Sequence, residues 1–191
     1  MLGSQSKGRS SVMESMGFQF ETMSANIDEK AIRFDDPQKL TLVLANAKAD
    51  ALLPNILEPA ILITSDQVVA LDKNILEKPE NEDEAREFLR GYATHPPQTV
   101  TAVVAVNTAT KERREGVDIA KVVFKEIPES VIDEIIKEGD IFTRAGGFSV
   151  EDPRLKNYIV NIEGAIDSII GLPKELTERL IKEVQWPPKT F

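Results

Sequence analysis

The stretch from Ala60 to Thr64 sets the strongest limit on what this chain can fold into. An alanine, a leucine and two isoleucines leave little polar surface to solvate, so it reads as a buried strand. The strand is expected to end in Ser65-Asp66 and to present the Asp66 carboxylate at a sheet edge, where ligands commonly bind. Val68 to Leu71 reads as a second strand, and Leu71-Asp72-Lys73-Asn74 as a hairpin turn. Lys78 follows beside Pro79, which stiffens the backbone around it. An acid and a base held on one rim suit a metal-bound, multiply charged anion. The same residues also describe a turn aspartate and a solvated lysine.

Around this strand the chain alternates helical and extended patterns without repeats, which predicts an α/β domain. Ser6 to Met16 reads as a helix with polar capping residues at its start and Gly17 as its stop. Phe18 to Met23 alternates like a strand. Asp36-Pro37 opens a second helix, with Leu40, Val43, Leu44 and Ala47 on one face. Glu80 to Leu89 reads as an acidic helix with Ala85, Phe88 and Leu89 inward. Thr99–Thr108 and Val117–Lys125 form a long antiparallel pair around the charged turn Lys111–Glu115. A helix through Val131, Ile132, Ile135 and Ile136 stops near Gly139, and Ala145-Gly146-Gly147 reads as a flexible turn. Pro173 to Val184 is the last helix, and Trp186 to Phe191 a proline-bearing tail. No linker divides the 191 residues, so a single domain over 1–191 is expected.

Charge and residue usage narrow the function classes. The net charge of −9 disfavours a nucleic-acid groove, whose affinity comes largely from Lys and Arg displacing counterions. It leaves room for a small phosphorylated ligand, which needs only a local basic pocket. The chain has no cysteine, so a thiolate nucleophile, a disulfide and a Cys-based zinc site are excluded. His95 is the only histidine, which excludes a His-rich metal site, and it is assigned no catalytic role. No run approaches the roughly 20 apolar residues of a membrane span, and a secretory signal is not evident, so a cytoplasmic location is expected.

The N-terminus carries a second candidate site. Gly3 to Ser10 is small, hydroxyl-rich and basic immediately before a helix, whose start offers unpaired N–H groups and partial positive charge. Ser4 and Ser6 can donate hydroxyl bonds to phosphate, and Arg9 can bind it through two parallel N–H bonds. An ordinary helix cap with solubilising charges has the same composition. The lysine spacing of a P-loop is missing.

Six segments in order give the chain a family resemblance. Gly3-Ser4-Gln5-Ser6 with Arg9, Asn26-Ile27-Asp28-Glu29, Ala47-Lys48-Ala49, Ser65-Asp66-Gln67-Val68-Val69 with Glu77-Lys78-Pro79, Ala145 to Glu151, and Gly171-Leu172-Pro173 resemble the motifs of the Maf nucleotide pyrophosphatases. The resemblance covers nearly the whole chain and looks most like the eukaryotic members, because Pro96-Pro97 follows His95. It implies a two-lobed mixed sheet with flanking helices around a long cleft, similar to inosine triphosphate pyrophosphatase. It implies hydrolysis of a nucleoside triphosphate between the α and β phosphates, with a divalent metal, Mg²⁺ or Mn²⁺. Carried over by position, Ser4, Arg9, Lys48 and Lys78 are expected to bind phosphate, Lys78 also counting as catalytic. Glu29 and Asp66 are expected to be the acidic centre, as metal ligands or, for Asp66, as the base that activates water. A homodimer is a further expectation from relatives.

Two positions bear on the base. Members acting on dTTP and UTP usually carry threonine after the key aspartate and glutamine in the Ala-Gly segment, whereas this chain has Gln67 and Glu151. That looks like the subgroup acting on 7-methyl-GTP. Guanine presents two adjacent donors, which an ionised carboxylate accepts in parallel. Two departures stand against the pattern: Gly8 replaces the first of two arginines, and only Met1 and Leu2 precede the first motif, so an upstream strand is expected to be cut short. The alternatives are therefore a dTTP/UTP/CTP pyrophosphatase and a nucleotide-binding regulatory protein with weakened turnover.

Overall fold

The computed structural model describes residues 1–72 and 74–185, so the proline-bearing tail over 186–191 lies outside the described residues. Its helices are α1 (Lys7–Ser15), α2 (Pro37–Leu52), α3 (Glu82–Gly91), α4 (Glu129–Glu138), α5 (Pro153–Lys156), α6 (Ile166–Ile170) and α7 (Lys174–Val184). The strands β1 (Ile61–Leu71), β2 (Asn74–Leu76), β3 (Gln98–Asn107), β4 (Arg113–Phe124) and β5 (Ile159–Glu163) form one sheet in the order β2-β1-β3-β4-β5. All its neighbouring strands pair antiparallel, and parallel pairing enters through Leu2, which bridges both Thr22 and Ile63.

β1 and β3 are rich in Val, Ile and Thr, and β3 is buried over nearly its whole length, as a strand covered on both faces must be; the start of β4, Arg113–Gly116, is held as strand by its pairing with β3. One face packs on α2, where Ala45, Ala49 and Leu52 meet Leu62, Ala102, Val104 and Val106. The other face packs on α1 and α7, where Val12, Met13, Leu176, Leu180 and Val184 meet Ile63, Val103 and Ala105. A third cluster builds the second lobe: α3 and α4 bury Ala85, Leu89, Ile132 and Ile135 against Tyr92, Phe124 and Phe148. The three rings stack and meet edge-on at centroid separations of 5.5–5.7 Å.

Helix ends follow local chemistry. Ser6 caps α1 by accepting the Arg9 N–H, Asp36 caps α2 ahead of Pro37, and Asn81 caps α3. Gly139 ends α4 with a φ of 85°.

Four sequence expectations change, one of them in the second hairpin: Arg113–Glu115 belong to β4 and pair with Val104–Val106 of β3, so the charged turn ends by Glu112 instead of spanning Lys111–Glu115. Asp66 does not end a strand, and Val68–Leu71 is not a second one. β1 runs through from Ile61 to Leu71, because β3 pairs with it from Ile61 to Ala70 and supplies ladder partners past the two polar residues. Phe18–Met23 is not a strand: only Thr22 pairs, since its partner is the short Met1–Gly3 segment. On α2 the buried stripe is Leu40, Thr41, Leu44, Ala45, Ala49 and Leu52, which leaves Val43 and Ala47 only half-buried. β5, α5 and α6 were not anticipated, being short and weakly patterned.

Candidate active site

β1 sends alternate side chains to opposite faces of the sheet. Leu62, Thr64 and Asp66 face α2, where the Thr64 hydroxyl donates to the Ala45 carbonyl at 2.8 Å. Ile63, Ser65, Gln67 and Val69 face the other way. Along its outer edge β1 is bonded to Met1 and Gly3 at Ile63 and to β2 from Val69 onward. Between them no strand covers it among the described residues. Arg9 fills part of that gap, donating Nη1 to the Ser65 carbonyl at 2.8 Å and Nε to the Gly171 carbonyl at 3.0 Å.

The acidic centre lies on the α2 side. Lys48 turns inward with only 11% of its side chain exposed and bonds Asp66 Oδ1 at 2.5 Å and Glu29 Oε1 at 3.0 Å. One turn of helix separates Lys48 from Ala45 and Leu52, so it shares their buried side of α2 rather than the solvated one. Glu29 opens a short 3₁₀ turn whose N–H groups on Lys30 and Ala31 are capped by Asp28. Asp66 is 6% exposed, and burial pushes its carboxyl above the usual range against the opposing pull of Lys48 and Arg9. Burial likewise pushes the Arg9 guanidinium down, offset by Asp66 and Glu29, and it remains a cation at neutral pH.

A cavity of about 530 Å³ opens on the opposite side of this edge, within the range of small-molecule sites. Ser6, Lys7, Arg9, Gln67, Lys78, Arg144 and Glu151 line it. The Lys78 loop is fastened to the turn at Ala145–Gly147: Gly146 N–H donates to the Glu77 carbonyl at 3.0 Å, and the buried Tyr92 hydroxyl donates to the Gly146 carbonyl. Arg33, just past Glu29, reaches Glu77 at 3.6 Å, which brings the Lys78 loop alongside the acidic centre.

The structure thus joins Asp66, Glu29 and Lys48 directly, sets Arg9 beside them, and gathers Ser6, Lys78, Gln67 and Glu151 around the adjoining cavity. Ser4 accepts the Ser6 N–H at 3.1 Å and supports the loop entering α1. Gln67 lies at the cavity floor, its amide N–H donors engaged by the Thr101 hydroxyl and the Ser168 carbonyl, both at 2.7 Å. Glu151 is exposed, on a turn closed by Asp152 N–H bonding the Ser149 carbonyl, and its carboxylate has no partner among the described residues. Sequence reasoning missed Arg144, although it adjoins the quoted glycines, and missed the Ser65 and Gly171 carbonyls that orient Arg9, because a carbonyl's target leaves no mark in residue type.

Among the described residues no group of three carboxylate or imidazole side chains gathers. Mg²⁺ is habitually held by one or two carboxylates, with water and substrate phosphates completing its shell. Glu29 and Asp66, two hard oxygen donors already converging on one cation, fit that pattern.

Comparison with known proteins bears on the family of the chain. A family model described as Maf-like protein matches residues 1–184. The chain is 46% identical over 191 residues to a 7-methyl-GTP pyrophosphatase of Dictyostelium discoideum, covering 96% of both chains. It is 31% identical over 187 residues to a dTTP/UTP pyrophosphatase of Thermotoga petrophila, covering 97% of this chain and 89% of that one. It is 29% identical over 184 residues to a nucleoside triphosphate pyrophosphatase of a Synechococcus species, covering 96% and 93%.

Proposed function

The chain belongs to the Maf family, and from that premise we propose that it is a nucleoside triphosphate pyrophosphatase that prefers 7-methyl-GTP. The observation that carries the reading is the carboxylate pair sharing Lys48 at an uncovered strand edge, next to a cavity lined by cations. A triphosphate needs such cations both to bind and to disperse charge in the transition state.

In this reading Arg9 and Lys78 bind the phosphates, with Ser6 and the start of α1 beside them. Asp66 and Glu29 would hold a divalent ion, Mg²⁺ or Mn²⁺, which when bound would supply Lewis-acid neutralisation of charge on the phosphates. Lys48 keeps the two carboxylates together through Oδ1 of Asp66 and Oε1 of Glu29, and in this reading Asp66 also orients the attacking water. That water attacks the α phosphorus, its proton passes to Asp66, and the bond to the α–β bridging oxygen breaks. The products are the nucleoside monophosphate and pyrophosphate.

Glu151 is the base-reading group, since an exposed carboxylate on the cavity wall matches the paired donors of a guanine edge. Gln67, with its N–H donors engaged by the protein, contributes at most its carbonyl oxygen. The described helices include none long and apolar enough to cross a membrane, and the cytoplasm is the compartment this substrate implies.

Pyrophosphate release from a nucleotide panel, with Mg²⁺ and with Mn²⁺, tests the proposal. The expected result is the highest kcat/KM for 7-methyl-GTP. A preference for UTP or dTTP would move the chain to the other substrate class, and tight nucleotide binding without turnover would make it a regulatory binder.

A further inference from the structure

The chain holds nine arginines against an excess of carboxylates, 32 Asp and Glu to 23 Lys and Arg. Seven of the nine pair with a carboxylate: Arg33, Arg86, Arg90, Arg113, Arg114, Arg154 and Arg179. The other two, Arg9 and Arg144, have no carboxylate within ion-pair distance among the described residues, and both line the same cavity. In a protein this acidic, guanidinium groups that pair on the surface yet stay unpaired around one cavity mark a place reserved for an anion from outside.

The two differ in how their donors are used. Arg9 spends Nε and Nη1 on protein carbonyls. The Arg144 guanidinium makes no hydrogen bond among the described residues, so its whole donor fork is open to a ligand. Its backbone is nevertheless well held. Arg144 N–H donates to the Ile141 carbonyl at 3.4 Å and its own carbonyl accepts Gly147 N–H at 3.0 Å. The next residues are tied to Glu77 and Tyr92, so Arg144 and Lys78 are fastened to a common rim.

We propose that Arg144 is a second guanidinium of the anion site, binding substrate phosphate from the Ala145–Gly147 turn while Arg9 does so from α1. This rests on reading the cavity as a triphosphate site. It assigns a phosphate contact to a loop otherwise associated with the base, and it means that closing the triphosphate between the two lobes requires both arginines.

The test is binding of inorganic tripolyphosphate by calorimetry in Mg²⁺ buffer, together with 7-methyl-GTP kinetics, for the parent protein, R144A and R144K. Loss of a charge-assisted fork predicts that R144A binds tripolyphosphate roughly ten- to a hundredfold more weakly, with KM raised by a similar factor. R144K, which keeps the charge without the fork, should fall between. Arg144 makes no side-chain bond among the described residues, so the melting temperature should not move; were R144A to melt lower, R144K decides at matched stability. Tripolyphosphate affinity unchanged in both variants overturns the assignment. Weakened nucleotide binding with unchanged tripolyphosphate binding overturns it too, by moving Arg144 to the base or sugar. If the parent protein binds neither ligand and turns over no nucleotide, the triphosphate reading itself has failed and takes this assignment with it.

Discussion

Replacing Lys48 by Met tests the geometry of the acidic centre through stability as well as activity. Lys48 and Asp66 keep only 11% and 8% of their side chains exposed, so their bond is screened little. Breaking a buried pair by removing one partner costs about 3–5 kcal/mol. The Lys48–Glu29 contact adds little, since Glu29 is 55% exposed. Asp66 escapes part of the cost by taking a proton, so the expected loss is about 3 kcal/mol at pH 8. The pH dependence gives the sharper reading. Burial already raises the Asp66 carboxyl, and Lys48 is the largest influence pulling it back down. Without Lys48 the native carboxyl rises further, while the unfolded one ionises near its ordinary value of about 4. The native variant then holds a proton that the unfolded chain has released, so its stability falls as pH climbs through that interval. Urea denaturation across pH should show a deficit that is small in acid and grows to a plateau at alkaline pH. The double variant Lys48→Met/Asp66→Asn should recover most of the stability and none of the activity. A deficit independent of pH, or a double variant no more stable than Lys48→Met, would refute the reasoning.

Glu151→Gln should lower kcat/KM for 7-methyl-GTP relative to UTP, because an amide offers one acceptor where the carboxylate offers two; an unchanged ratio in paired assays removes Glu151 from base reading. Gly146→Ala should cost about 2–4 kcal/mol in chemical denaturation, since φ is +64° and a Cβ would lie 2.7 Å from Val69 Cγ1. A loss no greater than for an exposed loop glycine would contradict that packing. Mn²⁺ binding followed by electron paramagnetic resonance should be weak in the protein alone and tighten when nucleotide is added, because two carboxylates leave most of the shell to phosphate and water. Tight Mn²⁺ binding without nucleotide, unaffected by Asp66→Asn, would place the metal elsewhere.

Much of the architecture was legible because local patterns agreed with the global fold. β3 and the second half of β4 are rich in β-branched residues, whereas Arg113–Gly116 of β4 carry no strand pattern; the starts of α1 and α2 carry their caps in the sequence. Gly139 and Gly17 mark helix ends for the same reason, since positive φ is open mainly to glycine. Short elements such as α6 and β5 were not legible, because a five-residue segment carries too little periodicity and is held by its contacts.

The candidate site divides along a similar line. Residue type by itself determined which groups could handle a phosphorylated ligand: Asp66, Glu29, Lys48, Lys78 and Arg9 carry the charge whatever the fold does with them. It also excluded thiol and His-rich chemistry outright. Only the tertiary structure decided their geometry. Pairing with β3 kept β1 continuous, so Asp66 sits mid-strand, buried, and faces α2, while Gln67 beside it faces the cavity on the opposite side. The rotation of α2 turned Lys48 inward to bind both acids, and the packing of the second lobe brought Arg144 to the cavity that Arg9 lines. Charge is a property of a side chain, but burial, pairing and direction belong to the elements packed around it, and those contacts join residues far apart along the chain.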